Sequence, residues 1–288
     1  KKDYLDGRTY NKAKNSEYAN QSFVVLPTAN NTRVNTLAEK LLAQDIELYR
    51  NTKDINVDNV TLQSGEFYDS YTIPSGSMII PNLQPEAPLI AAILEFDADI
   101  DEAVLLEERQ KRLKNGSSIM YDTTAFNFTM MYGLDALTVG ENIESNLVRW
   151  EPNQIISEIT EDAVMWATDG IDDRSVAFAA RMMEQDVEVR IVDKDAVLSG
   201  HKLSRGSVVV IAMDNPEINN LPDMIKEVSE ELNIAIMSLE SGFGPEELPD
   251  WGGRHFRLLE KPQIAMLSHE GFNSYAVSYT HLTLPTKA

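Results

Sequence analysis

The strongest constraint on this chain is that much of it occurs twice. Slid along itself, the sequence gives an ungapped match at an offset of 141 residues: Arg33, Ala38, Gln44, Asp45 and Glu47 recur as Arg174, Ala179, Gln185, Asp186 and Glu188. The apolar positions around them correspond too, with Leu37, Leu41, Leu42, Ile46 and Leu48 facing Phe178, Met182, Met183, Val187 and Val189. A match that preserves both polar identities and core positions describes one supersecondary unit used twice.

Each copy opens with a short apolar run, Phe23-Val24-Val25-Leu26 or Val164-Met165-Trp166-Ala167, of the kind found in strands buried on both faces of a parallel sheet. A helix follows. Leu37, Ala38, Leu41 and Leu42 form one apolar stripe, and Asn31 or Asp172 stands where a side chain would cap the first turn. A strand at Ile46–Leu48 or Val187–Val189 completes a β-α-β unit. Then come a Gly-Ser turn (Gly76-Ser77, Gly206-Ser207), another strand, and a helix started by Pro85-Glu86 or Pro216-Glu217. The expected fold class is therefore α/β, two related β-α-β-β-α units with mostly parallel sheets, the first lengthened by a polar loop between Arg50 and Tyr71.

The boundaries follow. Residues 1–20 read as the end of something upstream, 21–141 as the first unit with a connecting helix, 142–161 as a polar linker and 162–276 as the second unit, which is expected to be truncated. In the connecting helix, Asp101 to Lys114, acids come early and Arg109, Lys111, Arg112 and Lys114 late, which suits the helix dipole. Asp97, Asp99, Asp101 and Glu108 have calcium-loop spacing, but Glu102 occupies the position that needs glycine, so capping is expected instead. Residues 277–288 match no structural element: Val277 to Thr286 reads, codon for codon, as a translated transposase sequencing adapter, so the native frame is expected to end near Ala276.

Composition excludes several function classes. Forty-six acidic against 25 basic residues give a net charge of -21, which repels phosphate backbones, so no nucleic-acid partner is expected. No stretch nears the roughly 18 apolar residues of a membrane span. There is no cysteine, which removes thiolate ligands and cysteine nucleophiles. The four histidines, His201, His255, His269 and His281, lack the spacing that puts two ligands on one helix face. No catalytic or metal-binding residue is therefore assigned. The candidate binding residues are Gly242, Gly244, Trp251 and Arg254, in a Gly- and Pro-rich loop, with His269 and Glu270 after the last expected strand; the glycines there read first as backbone pivots.

Ordered motifs then carry a family likeness. Ile73-Pro74-Ser75-Gly76-Ser77 into Gln84-Pro85, Glu107-Glu108-Arg109, Tyr121-Asp122-Thr123-Thr124-Ala125-Phe126, Asp172-Asp173-Arg174, Asp214-Asn215-Pro216 and Gly253-Arg254-His255-Phe256-Arg257-Leu258-Leu259-Glu260 resemble the region after the catalytic domain of large bacterial zinc carboxypeptidases of the carboxypeptidase A-like family. The likeness spans about Ser22 to Tyr275. It implies a class I glutamine amidotransferase-like second unit, a parent that is secreted or periplasmic, zinc held by an upstream domain acting on peptides, and that peptidase domain as the partner of this region. It also implies a hydrolase parent whose proteolysis resides elsewhere, this fragment being inactive alone and holding no cofactor. The alternative is a non-enzymatic ligand- or peptide-binding α/β module.

Overall fold

The repeated residues build the same local structures in both copies. After a first helix, α1 (Lys2–Asn11), the chain forms β1 (Ser22–Val25), α2 (Asn31–Leu42), β2 (Tyr49–Asn51), β3 (Ile55–Leu62), β4 (Phe67–Ile73), β5 (Met78–Pro81) and α3 (Ala87–Leu94). Next come α4 (Glu102–Asn115), α5 (Phe128–Met131), β6 (Ala136–Val139) and β7 (Leu147–Arg149). The second copy supplies β8 (Met165–Thr168), α6 (Arg174–Glu184), β9 (Val189–Val192), β10 (Ala196–Leu198), β11 (His201–Leu203), β12 (Val208–Ile211), α7 (Leu221–Leu232), β13 (Met237–Leu239) and β14 (Phe256–Leu258). This computed structural model describes residues 2–16, 18–96, 101–119, 127–152, 155, 157, 159–245 and 247–263. Residues 1–258 make one unit; of the second, beginning at 259, residues 259–263 are described and hold no helix or strand. His269, Glu270 and the adapter-like segment lie outside the described residues.

The first sheet has the order β4-β3-β6-β1-β5-β2-β7 and the second β13-β8-β12-β9-β14. Five strands correspond one to one, β6-β1-β5-β2-β7 with β13-β8-β12-β9-β14, and every neighbouring pair is antiparallel. The expectation of mostly parallel sheets is thereby corrected. β1 and β2 do run parallel, as do β8 and β9, but β5 or β12 is inserted between them, the split β-α-β topology. The continuous apolar runs report burial on two faces, not strand direction. On one face of the first sheet, Phe23, Val25, Met78 and Ile80 pack on Leu37, Ala38 and Leu41 of α2 and Ile90 of α3. On the other, Val24, Ile79 and Leu137 meet Val57, Val60 and Ile73.

That second face is covered by the β3–β4 hairpin, where a polar loop was expected. Its buried side consists of few residues, and Asn59, at φ 56°, interrupts the alternation between Val57 and Val60. In the second copy the β10–β11 hairpin does the same work, setting Ala196, Leu198 and Leu203 against Met165, Ala167 and Val209.

The kept identities are caps and clamps. Asp45 and Asp186 sit in the left-handed region, at φ 61° and 59°, a conformation aspartate tolerates through its short polar side chain. Each ends its helix with paired bonds: Asp45 N–H to Leu42 O (3.0 Å) and Ile46 N–H to Leu41 O (3.2 Å), matched by Asp186 to Met183 (3.1 Å) and Val187 to Met182 (3.1 Å). Ile46 and Val187, expected to begin strands, are instead the buried residues after these caps, and β2 and β9 begin at Tyr49 and Val189. Gln84 and Asn215 clamp the repeated glutamates. Gln84 accepts from Glu47 N–H (2.7 Å) and donates to the carbonyls of Glu47 (3.2 Å) and Pro81 (2.7 Å). Asn215 accepts from Glu188 N–H (2.7 Å) and donates to the carbonyls of Glu188 and Ile211, both at 3.0 Å.

Residues 142–161, read as a linker, carry β7, which pairs with β2. The connecting helix forms as α4, with Asp101 Oδ1 accepting from Ala103 N–H (2.7 Å) and Gly116 closing it at φ 64°; capping is what this carboxylate does.

Candidate functional site

Three places within residues 1–258 bring polar groups together. The first lies between the copies, where α2 and α6 meet by their N-termini. Helix starts present unpaired N–H groups and the positive end of the dipole, so two facing starts call for shared acceptors. Asp172, buried, provides one: its carboxylate accepts from Arg174 N–H of its own helix (3.0 Å) and from the backbone N–H (3.3 Å) and hydroxyl of Thr32 in the other. Beside it Arg33 grips Asp173 with Nε at 2.7 Å and Nη2 at 3.1 Å. The Arg33 hydrogen bond, opposed by partial burial, holds the Asp173 carboxyl below its ordinary range. Asp172 does accept from the first turn of α6, although the residue at the cap position is Asp173, whose side chain makes no capping bond; in α2 the cap is Asn30, one residue before the expected Asn31, accepting from Arg33 N–H at 3.2 Å. This cluster bolts the repeats together and leaves no group poised for chemistry.

The second place is the Gly- and Pro-rich loop. Trp251 packs against the core beneath the β10–β11 hairpin. Gly242 lies flat on it: a Cβ there would stand 1.9 Å from Trp251 Cδ1. Gly244 N–H donates to Asp250 Oδ1 (2.7 Å), and its Cβ position would be 3.0 Å from the Val197 carbonyl. Gly242, Gly244 and Trp251 are thus brought together as a cover over the second sheet. Arg254 stands apart, with its Nε 3.4 Å from His255 Nε2.

His255 is part of a cluster that sequence spacing does not reveal. Its Nδ1 is 2.6 Å from Asp193 Oδ1, and Arg257 Nε is 2.6 Å from Asp193 Oδ2. The hydrogen bond with His255, then the charge of Arg257, keeps the Asp193 carboxyl below its ordinary range. A histidine oriented by a carboxylate is two members of a relay. The third is missing here: among the described residues Nε2 contacts Arg254 and no hydroxyl. The backbone Asp193 N–H to His255 O bond (2.9 Å) continues the β9–β14 ladder, so the pair fastens an edge strand. Among the described residues no group of three or more His, Asp or Glu side chains is placed to hold a metal ion.

The third place is a set of cavities. One of 460 Å³ at the start of α7 is ringed by Glu161, Asp162 and Asp223 with Asn219 and Asn220. One of 340 Å³ lies beside Glu47, Tyr49, Gln84 and Glu144; burial, then the hydrogen bond to Glu47, raises the Tyr49 phenol above its ordinary pKa. The smallest, 130 Å³, lies between the end of β1, the start of α2 and the Gly76 turn, and includes Asn31, Asn35, Arg50 and Trp150. Of these three it is the one with a cation and no carboxylate in its wall.

No protein-family model matches the chain, and neither a curated protein nor a solved structure does.

Proposed function

We propose that this chain is the non-catalytic, tandem α/β accessory region of a larger zinc carboxypeptidase, packing beside an upstream peptidase domain and shaping the access of peptide substrates. One observation carries the reading: several of the described residues that bear the likeness belong to the framework of the fold. Pro74 O accepts from the Ser77 hydroxyl (2.7 Å), Gly76 turns at φ 89°, and Gln84 clamps Glu47. Their counterparts repeat the pattern, with Ser207 bonded to Ser204 O (2.6 Å), Gly206 at φ 95°, and Asn215 on Glu188. A likeness made of turns and clamps is a likeness of scaffold, and catalysis with its zinc then belongs to the parent's other domain, in a secreted or periplasmic protein. The antiparallel second sheet lends no support to the amidotransferase-like part of that likeness.

The test is the gene upstream of Lys1. A reading frame that supplies His-x-x-Glu and a later histidine supports the assignment; one that runs through an unrelated domain overturns it. A second reading, a non-enzymatic ligand- or peptide-binding module, is favoured by the Arg50-lined cavity. It expects saturable binding by this chain and no metal ligands upstream.

A further inference from the structure

The 130 Å³ cavity exists because the two copies differ there. At the second copy's equivalent place the loop after β8 closes onto the turn before β12: Gly170 N–H donates to Ser207 Oγ (3.0 Å), and a Cβ at Gly170 would stand 2.2 Å from the Gly206 carbonyl carbon. In strand register the first copy has Pro27 at that position, two residues past Val25, which faces Met78 as Thr168 faces Val208. The proline ring stands where the second copy has a bare glycine, with its Cγ 4.0 Å from the Cβ position of Gly76, and the loop takes two more residues to reach the repeated arginine, Arg33 against Arg174. The space that opens is lined by Arg50 and Asn35, whose counterparts are Ile191 and Val176. The repeat thus serves as an internal reference, with the apolar frame kept and the polar lining specific to one copy.

The lining is rich in donors. Trp150 is 6% exposed, and its indole Nε1 is buried with no hydrogen-bond partner among the described residues. A buried, unpartnered donor on a cavity wall needs an explanation, and a bound polar ligand supplies one; Asn35, 5% exposed, brings an amide to the same wall. The Arg50 guanidinium stacks on Trp150 at 4.3 Å and uses Nη2 on the Glu151 carbonyl (3.2 Å). Its remaining N–H groups make no bond to a described residue, leaving part of the planar fork that matches a carboxylate. The positive end of α2 adds to the local field. Val34 and Met78 give the rest of the wall an apolar character. The volume corresponds to about four waters, enough for a small organic acid and too little for a nucleotide.

We infer that this cavity is a binding site for a small carboxylate, of acetate to amino-acid size, held by Arg50, the Trp150 indole N–H and Asn35 beside the start of α2. The site goes beyond the accessory role, since it stands on this chain's residues whatever the parent proves to be. In a chain of net charge -21, diffuse attraction of anions is absent, so saturable binding must come from local geometry.

The test is a titration of the ¹⁵N-labelled full chain with sodium acetate and with glycine, following the Trp150 indole resonance, with sodium phosphate and chloride at matched ionic strength. Acetate should shift that resonance saturably with Kd of about 1–10 mM. Asn35→Val, which installs the residue of the second copy, should weaken binding about fivefold or more, and Arg50→Leu should abolish it. Unchanged Trp166 and Trp251 resonances establish that each variant is folded. The inference is overturned by the absence of a saturable shift up to about 100 mM acetate, by phosphate or chloride matching acetate, or by unaltered affinity in folded Asn35→Val.

Discussion

The amide clamps offer a quantitative check on the repeat, because two different residues do one job in two places. Gln84 is 3% exposed and Asn215 6% exposed, and each makes three hydrogen bonds to backbone. Replacing either with alanine leaves a buried N–H, of Glu47 or Glu188, without its acceptor. It also leaves two carbonyls short of a donor. An unsatisfied buried donor costs about 1–3 kcal/mol, and a carbonyl with a second lone pair engaged elsewhere costs less. The sum is about 3 kcal/mol for Gln84→Ala and about the same for Asn215→Ala. The two side chains share no partner, so the double variant should lose close to the sum, within about 0.5 kcal/mol. Urea unfolding followed by tryptophan fluorescence reads all three, with attention to whether the two copies unfold in one step. A loss below about 1 kcal/mol in either single variant would refute the reasoning, since it would mean that water or a neighbouring group takes over the clamp.

Three further outcomes follow from the geometry. Asp172→Ala uncaps α6 and strips the acceptor from Thr32, and should cost about 2–4 kcal/mol by urea unfolding, with Asp172→Asn intermediate; a change within about 0.5 kcal/mol contradicts a carboxylate shared by two helices. The folded pKa of Asp173 is depressed by Arg33, so its contribution is present above the ordinary aspartate pKa and is lost as pH falls through the lower folded value. Asp173→Asn should therefore flatten the stability profile below about pH 4, and an identical acid limb in variant and parent contradicts the pairing. Gly170→Ala forces backbone apart at the Gly206–Ser207 turn and should destabilise by about 2 kcal/mol or more in thermal unfolding, whereas a neutral effect would mean that the loop can stand off there as it does in the first copy.

The repeat was legible because its polar identities carry backbone geometry. Asp45 and Asp186 terminate helices at positive φ, and Glu47 and Glu188 present the backbone groups that the amides grip. Strand direction was not legible. A run such as Phe23–Leu26 records that both faces are covered, and a hairpin covers the second face as well as helices would. That hairpin was itself hidden, because β4 exposes much of its length and the kink at Asn59 breaks the alternation that would have marked β3. The His255–Asp193 pair escaped for a topological reason: its members are 62 residues apart and meet only through the β9–β14 pairing. The Arg50 cavity arises from a missing approach, Pro27 in place of glycine in the strand register, which no spacing of motif residues encodes. In the Gly242–Trp251 loop the glycines were readable as pivots, and the structure supplies what they approach, the ring of Trp251 and the carbonyl of Val197.

The assignment of this chain as a non-catalytic accessory region is tested most directly by metal analysis of the purified chain after dialysis against zinc and gel filtration, paired with a carboxypeptidase assay. The expected result is less than about one tenth of a zinc ion per chain, with no release of C-terminal residues from peptide substrates. A stoichiometric zinc ion that survives gel filtration, accompanied by peptide hydrolysis that a chelator abolishes, would place the peptidase site within these residues and contradict the assignment.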